Sequence, residues 1–552
     1  MVCGGTDEGS GMACGKTLCN DRKEEIMANR EMSIEERLAR RLIIGEQLAR
    51  SSRKTPDKEV LVYGEMRLTY GELNRRVNRL ANYLTTSGLG KGDKVGALFF
   101  NCNQIIEVYY ACAKIGAIAV PLNFRLAPPE MIYILNDSDS RALVFGEAFH
   151  EAVEKVREEV PGIRQYICCG EEIPDYALSY NELVGSGDDG EPLVDVEEDD
   201  EAFIVYTSGT TGKPKGAVST HKQQLIGAIN SIIAMQVTRY DRFLFIPPLF
   251  HQGGVTLGIV YPLMNATMVI PHFLAFDPKA AMELIEGERI SGAFLVAAMG
   301  NAIFMLPDLD KYDTSAWKTW LSTGGVFPVG LKKRILEQWP GMRIYDFFGM
   351  TEMCPLMTFL SPDDLLDKPE SVGMEFPFVE MMLVDDDDKE VPIGQVGEGA
   401  YRGPTVMKEY YGKPEATEES MKGGWFHGGD LLRKDEGGFY YIVDRKKDMI
   451  VTGAENVYPV EVENAILAND KVMECAVIGV ADEKWGEIVK AIVVLKPEET
   501  MGEDELKDFL SERLAGYKRP RVIEFLEALP RNAMGKVLKT ELREKHGKLI
   551  RY

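Results

Sequence analysis

No stretch of this 552-residue chain approaches the ~18 consecutive apolar residues that a spanning helix needs; the most apolar run, 108–122, is interrupted by Lys114. A helical span is thereby excluded, and no stable membrane insertion is expected. Positive charge is also short: 63 Lys and Arg stand against 87 Asp and Glu, a net of −24. Such a field repels nucleic acid and anionic membrane surfaces, so nucleic acid is excluded as a partner and anionic ligands must be drawn by local basic pockets. None of the nine cysteines falls in a Cys-x-x-Cys pair. The adjacent Cys168 and Cys169 cannot form an unstrained disulfide or a two-point metal clamp, and reduced thiols in a cytoplasmic protein are the reading. The N-terminal segment has glycines, serines, charges and Cys3, Cys14 and Cys19, but no apolar signal core. Residues 1–32 are expected to be a disordered extension, with Met27 and Met32 as alternative starts.

What the chain does have is length and apolar content. At 552 residues with 45% hydrophobic side chains it exceeds one core and implies at least two domains. Short β-type runs (95–100, 117–120, 142–145) alternate with amphipathic helical windows such as 70–84, where Leu73, Val77, Leu80, Ala81 and Leu84 share one stripe. Alternation of this kind means parallel sheets covered by helices. The acidic 185–200 reads as a solvated connector. Ser219-Thr220 caps a helix through Ile233, and strand signals recur at 243–246, 267–270, 292–296 and 343–348. Over 374–441 strands shorten and glycines multiply, and Asp385 to Asp388 form a solvated turn rather than a cation site. The expected architecture is α/β: a large N-terminal domain (33–444) of parallel α/β subdomains plus a β-rich subdomain, and a small mobile α+β C-terminal domain (445–552). Helices are expected at 459–468 and 503–515, and strands at 472–480 and 488–495.

The chemistry concentrates first at 206–216, Tyr-Thr-Ser-Gly-Thr-Thr-Gly-Lys-Pro-Lys-Gly, which follows the apolar run 202–205. Glycines Gly209 and Gly212 let backbone approach an anion; Thr207, Ser208, Thr210 and Thr211 add hydroxyls; Lys213 and Lys215 add charge. A Walker A loop needs four residues before its Gly-Lys, and Gly209 to Gly212 encloses two, so the P-loop NTPase reading fails.

This segment resembles the signature loop of the adenylate-forming superfamily of acyl-CoA synthetases, luciferases and adenylation domains, and six further motifs agree in family order. Asp346-Phe347-Phe348-Gly349-Met350-Thr351-Glu352 resembles the second motif. By that resemblance Phe348 stacks on adenine, Asp346 bonds its amino group, Thr351 reaches the α-phosphate, and Glu352 with Thr207 holds Mg²⁺. Ser322-Thr323-Gly324-Gly325 is similar to the adenine and acyl wall. Trp425-Phe426-His427-Gly428-Gly429-Asp430 matches the ribose motif through Asp430, with Gly429 where the family usually has Thr, and Arg445 is the second ribose contact. Lys447 falls at the family's hinge. Gly453-Ala454-Glu455-Asn456 resembles the segment lining the pantetheine tunnel, and Phe250-His251 with Gly253-Gly254 the aromatic gate. Pro530 to Lys536 resembles the last motif, whose lysine bridges the attacking carboxylate and the phosphate.

The resemblance implies an ATP-dependent ligase that uses ATP, Mg²⁺ and coenzyme A to convert a small carboxylic acid through an acyl-adenylate to its thioester, with a homodimer allowed. A stand-alone adenylation enzyme loading a carrier protein is the alternative; sixteen residues follow Lys536, too few for a fused carrier. A nucleotide-binding module without turnover is disfavoured by Glu352, Asp430 and Lys536, and amino-acid activation by His251 where an Asp would bind the amine. Gly349, where acetate-activating relatives carry Trp, implies an acid larger than acetate: fatty, branched or aromatic. Ala297, Ala298, Gly324, Val255, Met299, Met353 and Pro355 are the expected pocket walls.

Overall fold

The computed structural model describes residues 32–207, 213–273, 275–325, 327–452, 455–482, 485–531 and 537–547. The expected extension before residue 32, together with Ser208, Gly209, Thr210, Thr211, Gly212, Gly453, Ala454 and Lys536, lies outside them.

Two large sheets carry the N-terminal part. In an eight-stranded sheet the strands Lys94–Leu98, Ile118–Pro121, Ser140–Gly146 and Gln165–Cys169 run parallel, with Glu201–Thr207 joining parallel to Ile118–Pro121. A nine-stranded sheet repeats the plan, with Arg242–Phe245, Thr267–Ile270, Gly292–Phe294, Thr319–Thr323 and Arg343–Gly349 parallel. Their strands are apolar on both faces because helices cover both, as parallel strands require. The helix Tyr70–Thr86 shows how local sequence sets this up. Thr69 accepts from the Glu72 N–H while Glu72 reaches back, and the stripe from Leu73 to Leu84 is buried in the main core. Thr220 caps His221–Met235 in the same way.

Each large sheet switches from parallel to antiparallel pairing once near the site. In the first, Glu201–Thr207 pairs antiparallel with Lys215–Thr220, so the phosphate-loop residues join two hydrogen-bonded strands. In the second, Arg343–Gly349, the last of the parallel strands, pairs antiparallel with Leu356–Leu360. A five-stranded antiparallel sheet follows, built on Val396–Arg402 and Trp425–Lys434. Asp385 to Asp388 form the expected turn beside it, closed by Asp388 N–H to Asp385 carbonyl at 3.2 Å. The last sheet, in which Gly486–Leu495 pairs with the edge strand Val472–Asp482 and with Val522–Phe525, has its own core of Val462, Ile466, Val477, Leu506 and neighbours. The chain passes from one unit to the other between Tyr440–Arg445, paired in the third sheet, and Ile450–Thr452, paired in the last.

The acidic connector departs from expectation. It lacks regular structure but is strapped down: Glu191 bonds the buried Lys114 ammonium at 2.5 Å and the Asn74 amide at 2.6 Å. Asp195 takes Arg37 at 2.8 Å and Arg41 at 2.7 Å. Acidic composition implies solvation, whereas these carboxylates answer cations from segments distant in sequence. All six described cysteines are free thiols, and no described helix is long and apolar enough to cross a membrane.

Two buried histidines give the fold a pH dependence. Burial lowers the pKa of His221 to about 4, and burial with the Arg125 charge lowers that of His251 to about 4, against 6.5 in an unfolded chain. Between those values the unfolded chain binds the protons that the native one refuses, so stability falls as pH drops from about 6.5 towards 4. Denaturant midpoints measured across that window should decline with acid, and His221→Gln should flatten the slope.

Candidate active site

Antiparallel register brings the two expected ribose contacts together. Asp430 lies opposite Arg445 between Trp425–Lys434 and Tyr440–Arg445. The Arg445 Nε sits 2.8 Å from Asp430 Oδ1, and its Nη2 donates to the Gly428 carbonyl at 3.3 Å. Gly429 has φ of +73°, a backbone region that a β-branched side chain rarely enters. Glycine in place of threonine is therefore the residue this turn accommodates, and the Lys446 N–H to Gly429 carbonyl bond at 2.8 Å fixes it.

Glu352 lies just past Arg343–Gly349, in the short turn Thr351–Met353. Its Oε1 accepts from the Tyr410 hydroxyl at 2.8 Å, across 58 residues of chain. Burial raises the Glu352 pKa and the Tyr410 hydrogen bond opposes that shift. The backbone ties the two segments further: Met407 N–H donates to the Glu352 carbonyl at 2.7 Å, and Glu409–Tyr410 pairs with Lys215–Thr220. The Lys215 ammonium lies 5.0 Å from the Tyr410 ring centre. Phosphate-loop flank, carboxylate turn and Tyr410 thus form one unit. Tyr410 was missed by the motif reading because it belongs to no contiguous signature; only the folded register reveals it.

Thr207 ends its strand beside the loop, with its hydroxyl 3.5 Å from the Lys215 carbonyl. The Lys213 ammonium lies 5.5 Å from the Tyr133 ring centre. Asp346 is buried and its Oδ2 is engaged by Lys332 at 2.8 Å; burial raises its pKa and Lys332 opposes. Lys332 is a second residue that no motif flagged. Phe347 is buried in the main core, and Phe348 is partly exposed beside it.

An apolar cavity of about 170 Å³ opens next to these groups, bounded by His251, Thr323, Gly324, Phe347, Gly349 and Thr351. His251 stands before the helix Gln252–Leu263, its ring 4.9 Å from that of Phe250, which packs edge-on against Phe124 at 5.4 Å. Of the expected walls, Gly324, Gly349 and Pro355 line the cavity; Val255, Ala297, Ala298, Met299 and Met353 do not. Val255 and Met353 are buried in the main core, while Ala297 and Met299 pack against the second one.

Gly349 also differs in its direction. A Cβ there would meet the Pro355 carbonyl oxygen at 2.0 Å, because the returning strand crosses close behind it. The glycine is needed for this close approach, and a tryptophan at 349 would collide with the Pro355 backbone rather than simply fill the acyl space. Gly349→Ala should already lower the thermal midpoint, with a cost of ~1–3 kcal/mol typical of overpacking. An unchanged midpoint would contradict the close approach.

Among the described residues no cluster of three or more His, Cys, Asp or Glu could cage a metal. A lone tethered carboxylate suits Mg²⁺, which usually takes one or two carboxylates and completes its shell with water and substrate phosphates.

A strand-borne carboxylate–arginine pair, a hydroxyl- and lysine-rich sequence and a tethered glutamate beside an apolar cavity are the parts of a nucleotide-dependent acid-activating enzyme. The family model described as AMP-binding enzyme matches residues 48–411, and AMP-binding enzyme C-terminal domain matches 461–536. A feruloyl-CoA synthase of Amycolatopsis sp is 38% identical over 91% of this chain and 99% of its own. A long-chain-fatty-acid–CoA ligase of Mycobacterium tuberculosis is 36% identical over 88% and 94%. The solved o-succinylbenzoate coenzyme A synthetase of Bacillus subtilis, in complex with ATP and magnesium ion, superposes with a TM-score of 0.78 at 30% identity, covering 90% of this chain and 99% of that one. The chain belongs to the AMP-binding enzymes, the adenylate-forming acyl-CoA synthetase superfamily.

Proposed function

We propose that this protein is an AMP-forming acyl-CoA synthetase for a carboxylic acid larger than acetate. The observation that carries it is the shared wall: Gly349 and Thr351 border both the acyl cavity and the nucleotide motif, so an acid in the cavity meets ATP at one point. The carboxylate attacks the α-phosphorus and pyrophosphate leaves; a thiolate then attacks the acyl carbon and AMP leaves. Bound Mg²⁺ would be held by Glu352, with Thr207 near the phosphates, and would neutralise phosphate charge.

The chain's own residues divide the remaining work. Asp430 and Arg445 hold the ribose, Phe348 stacks on adenine with Asp346 at its amino edge, and Thr207 with Ser208 to Lys213 cradle the phosphates. Lys536 meets charge developing at the α-phosphate, and Gly453 lines the thiol's approach. Positioning and electrostatic stabilisation do most of the catalysis. Neutral His251, beside Phe250, gates that approach without adding charge. A division into 33–444 and 445–552, hinged at Lys447, lets one C-terminal domain serve both half-reactions.

Coenzyme A is favoured over a carrier protein as acceptor because the relatives named above are CoA ligases or synthetases along nearly their whole length. Free thiols throughout the described residues support a cytoplasmic setting; sedimentation would read whether the protein forms a homodimer. A screen of short, branched, fatty and aromatic acids for pyrophosphate release tests the reading. Release with none of them would contradict it.

Tyr410→Phe probes the tethered carboxylate. Removing a partner that orients a metal-binding side chain typically costs 10- to 100-fold in metal affinity or activity. A raised Mg²⁺ requirement with near-normal adenine-nucleotide binding is expected; an unchanged Mg²⁺ titration would remove Tyr410 from the site.

A further inference from the structure

The acyl cavity is mainly apolar, but one part of its wall is polar and buried. Gln252, Thr256 and Ser231 all border it, and they are 3%, 1% and 0% exposed. Polar groups so deep require partners, and the way they are satisfied fixes what they offer a ligand.

The Gln252 Nε2 donates to Gln224 Oε1 at 2.9 Å and to Thr256 Oγ1 at 3.2 Å, which uses both of its hydrogens. Gln224 is itself oriented, because its Nε2 donates to Ser219 Oγ at 2.6 Å. The Thr256 hydroxyl donates back to Gln224 Oε1 at 3.4 Å, and the Ser231 hydroxyl to the Gly227 carbonyl at 3.0 Å. Every donor in this wall is committed. The Gln252 Oε1 has no donor bonded to it among the described residues and is not one of the sealed-off unpartnered atoms. These three side chains therefore present acceptors only.

Size narrows the ligand further. An apolar cavity of ~150 Å³ holds one benzene ring, so about 170 Å³ holds a ring with a short connection to its carboxylate and no long alkyl chain. Flat, rigid walls from Pro247, Pro248, Phe294 and Phe347 suit a planar ligand.

Building on the ligase reading above, we propose that the acid is a compact aryl acid carrying a hydroxyl on its ring, with the Gln252 Oε1 as the acceptor that selects it. A hydroxyl donor on the ligand gives the Gln252 Oε1 the partner it lacks among the described residues. A methoxy group at the same place brings a second acceptor against the first, and an unsubstituted ring leaves the buried oxygen without a partner. Gln252 is a specificity residue here, acting on the ring end of the substrate rather than on the reacting carboxyl.

The test is pyrophosphate release from ATP by the full chain with benzoic and cinnamic acids, their 3- and 4-hydroxy and 4-methoxy derivatives, and decanoic acid. The best hydroxy acid is expected to exceed its unsubstituted and methoxy counterparts about 10- to 100-fold in kcat/KM, the scale of one buried hydrogen bond gained against one left unmade. In Gln252→Leu that ratio should collapse to within about threefold of one. A ratio taken within one preparation does not depend on how much of the variant folds, and the wild-type comparison decides alone if the variant fails to fold. Equal rates for hydroxy, methoxy and unsubstituted acids, a preference for methoxy, or a preference for decanoic acid would overturn this inference while leaving the ligase reading standing. A hydroxyl preference that Gln252→Leu leaves intact would overturn the assignment to Gln252. No pyrophosphate from any acid would overturn the ligase reading and this inference with it.

Discussion

Lys536→Ala is expected to abolish acyl-adenylate formation while leaving thioester formation from supplied acyl-AMP largely intact. The first half-reaction places negative charge on the α-phosphate while a carboxylate, itself negative, closes on it. A compact ammonium can face both groups at once, and an interaction stronger in the transition state than in the ground state lowers the barrier. Removing one such electrostatic partner costs roughly 10²- to 10³-fold. In the second half-reaction the thiolate's charge passes through the acyl carbon to the phosphate oxygen that departs with AMP, and no carboxylate closes on the α-phosphate, so the same lysine has less to stabilise. The measurement is a pair of assays on one preparation: ATP–pyrophosphate exchange, and thioester yield from synthetic acyl-AMP and coenzyme A. Equal loss in both would refute the role.

Lys447→Pro is expected to produce the mirror image, with adenylation surviving and thioester formation collapsing. Lys447 is exposed in the short turn between Tyr440–Arg445 and Ile450–Thr452, where the chain leaves one sheet and enters another. Proline fixes φ near −65° and restricts the residue before it, so a hinge that must change its dihedrals is held in one state. Pushing a two-state equilibrium to 99:1 leaves the second state on the order of 10²-fold short. The neighbouring contacts give this turn something to break. Asp444 Oδ2 accepts from the Val460 N–H at 2.9 Å, at the start of the helix Pro459–Leu467, and its Oδ1 from the Arg445 N–H at 2.7 Å. A rotation of the C-terminal unit must release that helix start. Unimpaired overall turnover in Lys447→Pro would place the hinge elsewhere.

These two variants rest on contiguous motifs, and contiguous motifs are what the sequence made legible. The stripe from Leu73 to Leu84, the Thr220 cap and the strand at 267–270 were readable because each depends on neighbours within one element. Asp430 and Arg445 were readable separately, and antiparallel register then set them side by side. Contacts that depend on how distant segments meet were not readable. Tyr410 reaches Glu352 only because Glu409–Tyr410 pairs beside the phosphate loop. The smallness of Gly349 was noticed, but its cause is the Pro355 carbonyl on the returning strand, a fact of register rather than of pocket volume. Val255, Met299 and Met353 had the right chemistry for an acyl pocket, yet hydrophobic side chains on packed elements are more often core. The acidic connector failed for a similar reason, since its partners Arg37, Arg41 and Lys114 come from segments far along the chain.

The central claim is that acid, ATP and a free thiol meet at one site to give a thioester and AMP. It is tested most directly by incubating the full chain with ATP, Mg²⁺ and a hydroxycinnamic acid, with and without coenzyme A, and following nucleotides by chromatography and the acyl product by mass. Without coenzyme A, pyrophosphate should appear at about one equivalent per active site, with acyl-AMP retained. With it, AMP and acyl-CoA should accumulate together over many turnovers. Accumulation of ADP and phosphate, or adenylate turnover that ignores coenzyme A and requires a carrier protein, would contradict the account.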